Sequence, residues 1–282
     1  MRLTKWIVVF LVVLSAGVLT SCSEVPEAAV FDYARAQTLE NVKIAAHRGV
    51  TVHHPDNSLS AIARAVEIGA DAVEFDLRLS ADGEFMLLHD EDLAKIAGVT
   101  GRVEDYTAAQ LHSFRLKNRK GLISQEGLTS LREVLDVVAN RIHCYIEVKP
   151  FYYDDWIVAD KLNSIIRAYG VEESVTVFSF DNNFLRNLHW LNSKIQVTLL
   201  LWNRSQFSFN GVSWGEYDHL KGVCINQEGL DLKTVIDLKD CVGEVSIFTL
   251  NSYNGINAEM YNYLEAVITD YPEEWLALKG KK

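Results

Sequence analysis

From residue 42 onward, short apolar runs rich in β-branched residues alternate with stretches whose apolar positions recur every three or four residues. The runs predict strands over Val42–Ala46, Ala72–Leu77, Phe85–Leu88, Cys144–Val148, Val175–Phe178, Gln196–Leu201, Gly222–Ile225, Val245–Leu250 and Ala266–Ile268. Between them, Leu59, Ile62, Ala63 and Val66, and later Leu131, Val134, Leu135 and Val138, have the spacing of a single helix face. Several of the strand segments are apolar almost throughout, as expected of parallel strands covered on both faces. Repeated strand–helix units across the chain predict an α/β fold, a (β/α)8 TIM barrel, with a doubly wound open sheet compatible with the same periodicity.

Nine segments exceed the eight that such a barrel needs. Between the second and third, only Ser80-Ala81-Asp82-Gly83 intervenes, which is too short for a crossover helix, and Asp-Gly is a hairpin signal. A hairpin between the second and third strands is therefore expected. If its turn centres on Asp82-Gly83, Ala81 pairs with Glu84 and Asp76 falls opposite His89.

Ionisable residues gather at the C-terminal ends of the expected strands, where barrels of this kind carry their chemistry. The first strand runs into His47-Arg48-Gly49 and the second carries Glu74-Phe75-Asp76, whose spacing puts both carboxylates on one strand face. The third leads to His89-Asp90 and the fourth to Glu147-Val148-Lys149. Charges inside apolar strands are costly unless paired or metal-bound. Glu74, Asp76 and Glu147, with no cysteine among them, suit one hard divalent cation, Mg²⁺ or Ca²⁺. His47 and His89 suit paired acid and base work, and Arg48 and Lys149 suit a phosphate. Together these groups describe cleavage of a phosphodiester.

The charge balance, 27 basic against 38 acidic residues and a net −11, argues against nucleic acid as a partner. The densest basic stretch, Arg115 to Lys120, reads as a solvated loop. At the N-terminus, Arg2 and Lys5 precede an apolar stretch from Trp6 to Leu19 and then Leu19-Thr20-Ser21-Cys22. This is the layout of a secretory signal, and its end resembles the lipobox of bacterial lipoproteins, in which the cysteine is acylated. The expected organisation is a signal peptide over 1–21, a tether over 22–40 beginning with a lipidated Cys22, and a barrel domain over 41–282. The protein would then be exported and held at a membrane by its lipid anchor. Beyond Cys22 only Cys144, Cys224 and Cys241 remain, an odd number that allows at most one disulfide and no disulfide framework, and Cys144 and Cys224 lie inside apolar runs and read as core residues.

The ordered motifs resemble those of the glycerophosphodiester phosphodiesterases. His47-Arg48-Gly49, Pro55-Asp56-Asn57, Gly69-Ala70-Asp71, Glu74-Phe75-Asp76, Asp82-Gly83, His89-Asp90 and Glu147-Val148-Lys149 follow that family's pattern. Ser179-Phe180, Phe248-Thr249-Leu250-Asn251 and Ile268-Thr269-Asp270-Tyr271-Pro272 resemble its later segments. The resemblance implies a (β/α)8 barrel with metal at Glu74, Asp76 and Glu147, and acid and base at His47 and His89, either residue in either role. It implies hydrolysis of a small glycerophosphodiester to an alcohol and glycerol 3-phosphate, by direct water attack or through a cyclic phosphate. A lyase on the same barrel or a silent phosphate- or lipid-binding lipoprotein are the neighbouring readings. Asp56 stands where the family usually has Glu, and Phe248 where it usually has Trp. The span from His89 to Glu147 leaves room for a modest insertion only, so any cap should be small.

Overall fold

The computed structural model describes residues 37–138, 140–151, 153–207 and 217–280. The expected signal peptide, Cys22 and nearly all of the tether lie outside the described residues. Among the described residues nine strands form: β1 (Lys43–His47), β2 (Ala72–Leu79), β3 (Phe85–Leu87), β4 (His143–Val148), β5 (Val175–Ser179), β6 (Gln196–Leu201), β7 (Gly222–Asn226), β8 (Glu244–Phe248) and β9 (Ala266–Thr269). The helices are α1 (Leu59–Glu67), α2 (Ala94–Ala97), α3 (Ala108–Ser113), α4 (Leu131–Val138), α5 (Asp155–Tyr169), α6 (Asn182–Leu191), α7 (Leu232–Val242) and α8 (Pro272–Leu278). Parallel pairing runs β1-β9-β8-β7-β6-β5-β4-β2, and β1 also pairs with β2, so eight strands close a barrel and the open-sheet alternative is excluded. Among the described residues no helix is long and apolar enough to cross a membrane.

The ninth strand, β3, is antiparallel to β2 and takes over its edge where β1 leaves it. β1 pairs with β2 from Ala72 to Glu74, and β3 pairs with it from Leu77 to Leu79. The hairpin forms as expected, but its register differs by one residue. Leu79 faces Phe85, the Ser80 amide donates to the Glu84 carbonyl, and the Leu88 amide donates to the Asp76 carbonyl. The turn therefore holds three residues, Ala81 to Gly83, with Gly83 left-handed at φ +79°, rather than two centred on Asp82-Gly83. Asp76 lies opposite Leu88, not His89, and His89 comes one residue beyond.

Strand alternation sorts the side chains into two cores. Val73, Phe75, Leu77, Ile146 and Val148 point outward into the large core beneath the helices. Ala45, Ala72, Tyr145, Phe178, Leu200, Cys224, Ala266 and Ile268 fill the barrel interior, where Tyr145 stacks on Phe178 at 4.9 Å. By the same alternation His47, Glu74, Asp76 and Glu147 point inward, above that plug. At the opposite end, the Asp71 carboxylate accepts from the Ile44 amide and from Lys279 just past α8, both at 3.0 Å, tying the chain's end to the barrel floor.

Residues 88–130 pack around a satellite core of Met86, Leu88, Leu93, Val103, Leu111, Leu116 and Leu128. This modest insertion carries α2 and α3 and a loop around Lys117–Ile123 that leans over one side of the barrel mouth. Cys144, Cys224 and Cys241 are all free thiols.

Candidate active site

The chain leaves β1 through Arg48 (φ +56°) and Gly49 (φ +82°), two consecutive left-handed residues. Gly49 is required twice over: its φ disfavours any side chain, and a Cβ there would lie 2.5 Å from the backbone carbon of Ala61 in α1. The turn aims the Arg48 amide at the Glu74 carboxylate, 3.0 Å away. Asn57, also left-handed at φ +60°, grips Asp76 from the next loop. Its side-chain amide donates to the Asp76 carboxylate at 2.7 Å and its carbonyl oxygen accepts from the Asp76 backbone amide at 3.1 Å. Ser58 then caps α1, accepting from the Ala61 amide.

In-register pairing sets His47 beside Glu74 on the β1–β2 seam and Asp76 beside Glu147 on the β2–β4 seam. Glu74, Asp76 and Glu147 each offer an oxygen within 4.8 Å of the others. Lys149 reaches back among them, its ammonium 2.5 Å from Glu147 and 2.8 Å from Asp76. Burial pushes Glu74 well above the usual carboxylate range, with Asp76 and Glu147 adding to the rise. Glu147 is pushed up to about 7, by burial and then by Asp76. Burial acts on Asp76 in the same direction, but Lys149 and Arg48 outweigh it and hold Asp76 well below the ordinary range. Burial would lower Lys149, and the pull of Asp76 and Glu147 raises it instead.

Three crowded carboxylates of which two resist ionisation form a set that a divalent cation would relieve. Asp76 Oδ1 is buried and accepts no well-directed hydrogen bond, although Lys149 is close. An all-oxygen donor set with an unsatisfied oxygen fits a hard metal ion.

The two histidines flank this cluster. His47 Nδ1 is 2.8 Å from Asp270 Oδ1, and its Nε2 is 4.0 Å from Glu74. His89 Nδ1 is 2.8 Å from Asp90, and the His89 carbonyl is held by Arg78 through two hydrogen bonds. Burial lowers the His89 pKa, and the cations Lys149 and Arg48 add to this against the pull of Asp76. Arg48 binds Asp56 at 3.3 Å, while its buried Nε makes no well-directed hydrogen bond and lies 3.4 Å from Asp76 Oδ2.

All seven catalytic, metal and phosphate residues expected from the sequence thus meet at the C-terminal mouth of the barrel, and Cys22 lies outside the described residues. Lys149 is the one whose surroundings differ in kind, because its ammonium is inserted among the carboxylates. Asn57, Asp270 and Arg119 also belong to the constellation. Arg119 bridges Asp56 and Asp270, binding each at 2.8 Å, and Asn251 donates to the second Asp270 oxygen at 2.8 Å. Burial alone would raise Asp270, but its bonds to His47 and Arg119 hold it well below the usual range. Asp270 and Asn57 lie within motifs noticed in the sequence, but their partners are distant in the chain. Arg119 sat in a stretch that reads as plain surface. His54 bonds Ser60, His143 bonds Thr176 on the barrel wall below the site, and His219 bonds Asn182.

Two cavities open from His47, Arg48 and His89. One, of about 510 Å³, extends under the insertion to Lys95, Ile96, Lys117 and Arg119. The other, of about 240 Å³, is walled by Phe180, Trp202 and Phe248 with Asn226, Gln227 and Glu228. A closed (β/α)8 barrel with carboxylates, two oriented histidines and cations at its mouth belongs to the class of barrel hydrolases acting on anionic esters.

The sequence profile of the Glycerophosphoryl diester phosphodiesterase family matches residues 47–274, and the chain belongs to that family. It is 27 % identical over 249 residues to a glycerophosphodiester phosphodiesterase from Bacillus altitudinis, covering 84 % of this chain and 98 % of that one. A second relative, a glycerophosphodiester phosphodiesterase from Bacillus subtilis, is 23 % identical, with 83 % and 85 % covered. Among solved structures, an Oleispira antarctica phosphodiesterase in complex with the product sn-glycerol-3-phosphate superposes with a TM-score of 0.71. It is 24 % identical, with 86 % of this chain and 98 % of that one covered. A protein from Silicibacter pomeroyi superposes at 0.73 with 18 % identity, covering 87 % and 97 %.

Proposed function

We propose that this chain hydrolyses glycerophosphodiesters to an alcohol and glycerol 3-phosphate. The observation that carries the reading is the convergence of two carboxylate-oriented histidines, the buried Arg48 guanidinium beside Asp76 and the Glu74–Asp76–Glu147 cluster on one mouth. Family membership supplies the substrate class. A divalent cation held by Glu74, Asp76 and Glu147, with Mg²⁺ and Ca²⁺ the candidates, would neutralise phosphoryl oxygens and favour ionisation of the attacking group. Arg48 donates from Nε to a non-bridging oxygen, and Lys149 adds positive charge beside it.

His47 donates from Nδ1 to Asp270, which leaves Nε2 facing the site as a proton acceptor in the neutral ring. His89 is oriented in the same manner by Asp90. One histidine takes the proton of the nucleophile while the other returns a proton to the departing alcohol. A panel of glycerophosphodiesters assayed with Mg²⁺ and with Ca²⁺ tests this directly. Turnover that needs metal and vanishes in His47→Ala is expected, and absence of metal-dependent activity across the panel would refute the reading.

The same proposal extends to location: export and membrane attachment through a lipid on Cys22, supported by the Leu19-Thr20-Ser21-Cys22 sequence after its apolar stretch. A Cys22→Ala protein is expected in the soluble fraction, and one that still pellets with membranes would count against the anchor.

A further inference from the structure

The two cavities that meet at the histidines differ in size and in charge, and a diester has two ends. The smaller has the features of a glycerol site. Phe180 and Trp202 stack at 5.4 Å and Phe248 meets Trp202 edge-on at 5.7 Å, an apolar wall for C–H groups. Asn226, Gln227 and Glu228 in the same lining offer hydrogen-bonding groups for hydroxyls. The larger cavity has room for a bulkier alcohol.

Its charge is unusual for a protein carrying a net −11. Its three carboxylates are already engaged: Asp56 by Arg48 and Arg119, Asp270 by His47, Arg119 and Asn251, and Asp90 by His89. Lys95 pairs with Asp90 at 3.5 Å in a solvent-exposed ion pair, its side chain 82 % exposed, and the lining as a whole sets four cations, Arg48, Lys95, Lys117 and Arg119, against three carboxylates. Lys117 lines the cavity with no carboxylate partner among the described residues. Leu88 and Ile96 add apolar surface to the same lining. A headgroup seated in this cavity would share its lining with Lys95 and Lys117.

Resting on the hydrolase reading above, we propose that this larger cavity is the subsite of the departing alcohol and that it selects alcohols bearing an anionic group, a carboxylate or a second phosphate. Lys95 and Lys117 provide the recognition, and the aromatic cavity keeps the glycerol 3-phosphate half common to all substrates. Quaternary ammonium headgroups are the disfavoured class.

The test uses three diesters with the same glycerol 3-phosphate half: glycerophosphocholine, glycerophosphoglycerol and glycerophosphoinositol 4-phosphate. Values of kcat/KM are expected to rise in that order at low ionic strength, spanning roughly tenfold or more, and to converge as salt screens the lysines. Lys117→Glu, or Lys95→Ala with Lys117→Ala, should lower the value for the anionic diester several-fold more than for the neutral one. A preference for the choline ester, a salt-independent ranking or an equal loss on all three esters would overturn the assignment. If the neutral ester is turned over and the ranking fails, the subsite proposal alone falls. If none of the three is hydrolysed, the hydrolase reading falls with it.

Discussion

At the scale of single residues, the site is built by groups that do no chemistry themselves. Asp270 sets the orientation of His47 by accepting from Nδ1, and it is held in turn by Arg119 and Asn251. Asp270→Asn replaces a carboxylate with an amide that can present a donor to Nδ1 and reverse the ring's tautomer. Loss of aligned acid–base work of this kind is expected to lower kcat by about 100-fold. A kcat within twofold of the parent would refute the role. Gly49 is a different case, concerned with space alone. Gly49→Ala forces a methyl onto the Ala61 backbone at a left-handed φ. A destabilisation of about 3 kcal/mol is expected, read as a lower urea midpoint with an unchanged slope.

At the scale of elements, α1 shows how a cap serves a site. Ser58 accepts from the Ala61 amide and donates to the Pro55 carbonyl, so it closes the helix and fixes the turn that presents Asn57 to Asp76. Ser58→Ala is expected to cost about 1 kcal/mol of stability, and to lower kcat as well, because Asn57 loses its rigid support. Equilibrium unfolding and steady-state kinetics on one preparation would separate the two effects. The strands were legible in the sequence because alternation and apolar continuity are local: each of β1–β9 overlaps an expected segment. The inward direction of Glu74 and Asp76 followed from the same period of two. The hairpin register did not, because a three-residue turn ending in a left-handed Gly83 carries the same Asp-Gly signal as a two-residue one. The contacts of Arg119 were illegible for another reason. Asp270 lies 151 positions along the chain, and only barrel closure brings the loop after β9 beside the insertion.

At the scale of the whole molecule, the ionisable groups buried by folding make stability depend on pH from both sides. His143 is pushed down to about 4 by burial and by Lys43, and His219 to about 4 by burial and by Arg186. In the unfolded chain both titrate near about 6.5. Below that pH the unfolded state takes up protons that the folded state refuses, so stability falls as pH drops from the ordinary histidine value toward about 4. Glu147 acts in the opposite sense. Its folded pKa of about 7 exceeds the ordinary 4.5, so in metal-free protein the unfolded state releases its proton first. Stability from this group is therefore present at low pH and is lost as pH rises from 4.5 to about 7, with Glu74 shifted in the same direction. The metal-free protein should accordingly melt highest in mildly acidic buffer. His143→Gln should flatten the acid flank of a Tm-against-pH curve, and Glu147→Gln the neutral flank. A cation that binds only deprotonated Glu74, Asp76 and Glu147 must displace those protons, so its affinity rises with pH through the same window. Binding to the folded state alone raises Tm by mass action. Saturating Mg²⁺ or Ca²⁺ should thus raise Tm more at pH 8 than at pH 5, and this difference should disappear in Glu74→Gln and Glu147→Gln. A pH-independent rise that survives both substitutions would place the cation elsewhere on the molecule.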